Sequence, residues 1–145
     1  MEYIESLFTT ILPLHIGAVL VSLGIIFCSD IYGALWVFGK IDTLNRKIIA
    51  WFHTIAWAGL IIISITGVLL FLPYSQSLLS EFAFRLKILF LMFITINGLV
   101  IGRHMNIASI HSFASLSWRK RILLLVSGTV SITGWIGSYI AAHFV

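Results

Sequence analysis

Residues 48–72 read IIAWFHTIAWAGLIIISITGVLLFL, and the only ionisable side chain among them is His53. At about 1.5 Å of rise per residue this block is long enough to cross a hydrocarbon core of about 30 Å as a helix. It lacks the in-and-out alternation of a membrane barrel strand. In lipid, only a helix then satisfies its backbone polar groups. Pro73, which cannot continue a helix, follows it.

Three further blocks share this character, at about residues 7–29, 82–102 and 122–144. The chain is 145 residues long, 60% hydrophobic and 10% charged. A soluble domain carries about 25% charged residues. The expected fold is therefore all-α: a four-transmembrane-helix bundle forming a single integral membrane domain over residues 1–145. Pro13 sits early in the first block, where a missing N–H matters least. The acidic start, with Glu2 and Glu5, lacks the cationic region of a secretory signal, so the first block is expected to be a retained helix.

The net charge is +4, but its distribution points to topology and away from nucleic acid. Lys40, Arg46 and Lys47 lie between blocks 1 and 2, and Arg103, Arg119, Lys120 and Arg121 between blocks 3 and 4. On the other side Arg85 and Lys87 are offset by Glu2, Glu5 and Glu81. The positive-inside rule places both basic connectors in the cytoplasm and both termini outside. Within residues 103–121, Ile107, Ile110, Ala114 and Trp118 recur at steps of three and four. This predicts a short interfacial helix between helices 3 and 4. Cys28 is alone, which excludes an intramolecular disulfide and a cysteine metal cluster.

Helix faces carry the next layer of information. Ser127, Ser131, Gly134 and Ser138 follow one another at steps of four, three and four, a spacing that lets helices approach closely in lipid. His15, Ser22 and Ser29 share a face of helix 1, with Gly17 and Gly24 opposite. His53, Leu60, Ser64 and Gly67 share a face of helix 2, and Asn97 aligns with His104 on helix 3. Such polar and small faces are expected to turn inward in a bundle. Small-residue faces are also a route to a homo-oligomer.

An ionisable group at membrane depth is costly and so has a partner or a task. Taking Asp30 and Arg103 as inner boundaries, His15 and Lys87 both lie roughly 22–24 Å above them. His15 is either a core imidazole bonded to a carbonyl or serine, or a haem ligand or proton acceptor. Lys87 either snorkels or holds a carboxylate of a ligand. His53 and His104 lie at matched depth nearer the inner side and are candidate ligands of a b-type haem, with Asn97 beside them as a candidate cofactor contact. Asp30 is expected to pair with Arg103 or Arg46. His111 and His143 read as interface residues. Met92 and Met105 are too sparse for a copper path.

Leu14-His15-Ile16-Gly17-Ala18-Val19 resembles the opening of helix 1 in a family of small bacterial four-helix protoporphyrinogen oxidases. Phe84-Arg85-Leu86-Lys87-Ile88-Leu89, continued by Asn97-Gly98 and Gly102-Arg103, is similar to that family's third helix. Ser64-Ile65-Thr66-Gly67 resembles part of its second. Members of the copper-resistance D group look alike in the same places. The resemblance implies a multi-pass protein of the bacterial inner membrane that binds haem b and oxidises protoporphyrinogen IX, with His15 and Lys87 as its functional pair. The chain departs from the family at Ser29-Asp30-Ile31-Tyr32, where the family has Pro-Arg. The competing expectation is a non-enzymatic small transporter, or a structural subunit of a larger membrane complex.

Overall fold

The computed structural model describes residues 2–144, with side chains from residue 8 onward. Five α-helices run in order: α1 Glu2–Val37, α2 Arg46–Phe71, α3 Ser75–Ser80, α4 Phe82–Ile110 and α5 Trp118–Ala142. Single 3-10 turns, Leu72–Tyr74 and Phe113–Ser115, complete the described structure, which contains no strand. Four stretches are long and apolar enough to cross a membrane: Phe8–Val37, Arg46–Ser80, Phe82–Ile110 and Trp118–Ala142.

The long helices overrun the lengths that hydropathy predicts. α1 does not stop at Asp30 but continues to Val37. One carboxylate does not break a helix, and the residues beyond it have somewhere to pack: Trp36 is buried with Leu44, Ala108 and Leu116. The true stop is Gly39, at φ 67°. Lys40 N–H donates to the Leu35 carbonyl at 2.8 Å and Gly39 N–H to the Trp36 carbonyl at 3.1 Å. Those two bonds and a left-handed glycine make a Schellman cap. Asn45 then opens α2, its Oδ1 accepting from Lys47 N–H at 2.9 Å. Leu44 N–H donates to the Ala108 carbonyl at 2.8 Å, tying this connector to α4.

The separate interfacial helix is not formed. Ile107 and Ile110 belong to α4, which passes Gly102 and Arg103 without interruption. Ile107 packs with Ala108 against Trp36 and Leu116, while Ile110 is exposed at the end of α4. Only the turn at Phe113–Ser115 separates α4 from α5. Arg121 holds that turn, donating from Nε to the Leu116 carbonyl at 2.9 Å and from Nη2 to the Ala114 carbonyl. After Pro73 the chain forms the small helix α3.

α1 packs on α2 and α4 on α5 as two close hairpins, which meet each other along fewer contacts. Small residues explain the closeness. Ser127, Ser131, Gly134 and Ser138 of α5 are all buried, and a Cβ at Gly134 would stand 2.8 Å from Ile94 Cγ1. At the α1–α2 seam, a Cβ at Gly59 would collide with Ser22 Oγ. The expected inward small face of α5 is thus taken up within the chain. Gly17 and Gly24 of α1 look onto open space.

Candidate functional site

The loose contact between hairpins leaves a cavity of about 410 Å³, walled by all four long helices in the half of the bundle nearer the basic connectors. Its wall is mostly apolar, with Trp36, Trp57 and Trp135 contributing aromatic surface. The polar groups on it include Asp30, His53, His104, Asn97 and Ser131. Volume and lining suit a drug-sized or cofactor-sized ligand, for which about 300–1,000 Å³ is usual.

The two candidate histidines on this wall differ in what they have free. His104 Nδ1 lies 2.9 Å from the Val100 carbonyl, one turn back on α4. A carbonyl only accepts, so Nδ1 carries a proton, and in the neutral ring the lone pair lies on Nε2. No partner within the described residues engages that nitrogen. An imidazole fixed through Nδ1–H to a carbonyl is the usual arrangement of a metal-ligating histidine. His53 is engaged differently, because Trp57 Nε1–H donates to its Nε2 at 3.1 Å. For His53 to ligate through that nitrogen, Trp57 would have to let go.

Two glycines bring α2 and α4 together here. A Cβ at Gly98 would lie 3.2 Å from Trp57 Cζ2, and one at Gly102 would lie 3.0 Å from His53 Nε2. Gly98 and Gly102 thus form the small-xxx-small face that receives the Trp57–His53 pair. The sequence signal for this was their spacing of four on one helix, and for Trp57 its position one turn after His53.

Asn97 lines the cavity but is committed elsewhere. Its Nδ2 donates to the Ser127 carbonyl at 2.9 Å, and its Oδ1 accepts from Ser127 Oγ at 2.6 Å. This reciprocal pair clamps α4 to α5. Asp30 shows the opposite condition. The expected ion pair with Arg103 or Arg46 is not formed, and among the described residues Asp30 has no hydrogen-bond partner. The reason is the continued helix: Asp30 sits in mid-α1 facing the cavity, not at a helix end facing the basic connectors.

His15 and Lys87 lie apart from this cavity. His15 is buried, and its Nδ1 lies 2.7 Å from Thr66 Oγ1. Thr66 donates its own proton to the Ile62 carbonyl at 2.7 Å, so it accepts from His15. Gly67 makes room for the ring: a Cβ there would be 3.4 Å from His15 Cε1. Lys87 is half-buried on α4. The structure therefore gathers His53, His104 and Asn97 on one cavity wall and places His15 and Lys87 outside it. Thr66, which anchors His15, was missed as a partner.

Among the described residues no group of three or more His, Cys, Asp or Glu is placed to hold a metal ion. No protein-family model, curated protein or solved structure matches the chain.

Proposed function

We propose that the protein is a membrane redox protein that binds haem b, or a related tetrapyrrole, in the cavity between its hairpins. The observation that carries this is His104: a cavity-wall imidazole with Nδ1 committed to a carbonyl and Nε2 left as a lone-pair donor. A metal inside a porphyrin needs only axial ligands from the protein, so the lack of a three-residue metal cluster does not bear on it.

The residues fit the group in three respects. The cavity walls are aromatic and aliphatic, Gly33 and Gly128 leave open space beside it, and one nitrogen is available. His104 would be the first ligand, and His53 a second once released by Trp57. Propionates would be directed toward the basic end, where Arg46, Lys47 and Arg103 lie. Haem would supply one-electron chemistry there. His15 and Lys87, outside the cavity, would form a separate site, as proton acceptor and carboxylate holder for a tetrapyrrole substrate such as protoporphyrinogen IX. By the positive-inside rule the cavity end faces the cytoplasm and both termini face outward across a bacterial inner membrane.

The test is the absorption spectrum of protein purified from a haem-replete host. A Soret band with sharp reduced bands, lost in His104→Ala, is the expected result. A colourless, folded preparation would overturn the reading and favour a transporter or a structural subunit.

A further inference from the structure

The cavity wall is unequally exposed. Its exposed members are Phe38, just past the end of α1, and Leu125, Thr129 and Ile132 of α5. None of the wall residues from α2 or α4 is exposed. The mouth therefore lies between α1 and α5. Counting along α5, residues 125–132 fall roughly 10–21 Å from its start, within the depth of a hydrocarbon core of about 30 Å. The gap is flanked by Gly33 on α1 and Gly128 on α5, and a Cβ at either would meet nothing within 4 Å. Asp30, a carboxylate without a partner among the described residues, stands one turn from Gly33 on the same helix and lines the same space.

We propose that this cavity is a side-opening site, loaded from the bilayer between α1 and α5 by a lipid-dissolved amphiphile. Its apolar ring body lies against Trp36, Trp57 and Trp135, and an N–H or O–H on its edge donates to Asp30. The haem reading supplies the premise that the cavity holds a ligand. The route itself rests on exposure and open space, and would be the same for another lipid-dissolved ring compound. A mouth at this depth admits solutes from acyl chains more readily than from water. An unpaired carboxylate there is costly unless its occupant brings a donor.

The tryptophans make the route measurable. Of the five tryptophans, Trp51 and Trp118 are exposed at 68% and 72%, and the other three line the cavity. In a Trp51→Phe/Trp118→Phe background in liposomes, only the interior tryptophans emit. Phosphatidylcholine with brominated acyl chains should quench them, aqueous iodide should not, and Gly33→Leu with Gly128→Leu should relieve the lipid quenching. Each glycine variant is also measured alone, with helicity checked by circular dichroism, so that unfolding of the pair is recognised. Quenching by iodide in place of lipid, no quenching by either, or lipid quenching that the leucines leave unchanged would each overturn the proposal. None of these readings depends on haem, so loss of the haem reading and loss of the route are separable.

Discussion

The α4–α5 seam and the α1–α5 gap share a helix and differ in almost everything else. Along the seam every small residue is used: Gly134 meets Ile94, Gly137 meets Phe90, and Ser127 exchanges two hydrogen bonds with Asn97. Across the gap, Gly128 and Gly33 meet nothing, and Asp30 has no partner among the described residues. Lipid gives helices no hydrophobic reason to associate, so the seam holds by close packing and the Asn97–Ser127 bonds. The gap lacks both. A polar residue at membrane depth is thus read by what it has left over: Asn97 has spent its groups on structure, while Asp30 and His104 have not.

The largest effect should come from filling the seam. Gly134→Leu forces a side chain into Ile94 and should destabilise the protein by about 1–3 kcal/mol, the usual cost of overpacking. Unfolding in mixed detergent micelles measures it. Equal stability of Gly134→Leu and wild type would mean that the seam is not tightly packed.

Next is the clamp. A double-mutant cycle with Asn97→Ala and Ser127→Ala should give a coupling of about 0.6–1.7 kcal/mol, between the average and the maximum for interhelical hydrogen bonds in membranes. His15 and Thr66, whose bond also joins two helices, should give a coupling of about 0.6 kcal/mol in a cycle of His15→Ala with Thr66→Val. Zero coupling there would mean that the imidazole is not held by the hydroxyl. The smallest effect belongs to the gap: Gly128→Ala should change stability by less than about 0.5 kcal/mol, as at sites away from packing. A larger loss would show that α1 and α5 are closed against each other.

The same contrast explains what could be read from the chain. The four spans were legible because a run such as residues 48–72 has one structural solution in lipid. The inward face of α5 was legible because its serines and glycine repeat with the helix. The helix ends were not, since hydropathy marks where lipid stops and not where a helix stops. Asp30 and Arg103 lie inside α1 and α4, which end only at the Gly39 cap and the break at His111. The candidate histidines could be named, but their roles depended on partners in other helices or one turn away. Thr66 for His15, Trp57 for His53 and the Val100 carbonyl for His104 set those roles. The cavity was invisible in one dimension because it arises from the imperfect fit of two hairpins.

The most direct test sets one cavity group against the other. Haem content and unfolding are measured together on His104→Ala and Asn97→Ala, each expressed with haem in excess. His104→Ala should lose the Soret band and keep the stability of wild-type protein stripped of haem. Asn97→Ala should lose stability and keep the band in whatever fraction stays folded. A His104→Ala protein that retains its full band, or an Asn97→Ala protein as stable as wild type, would contradict the division between spent and unspent polar groups on which this account rests.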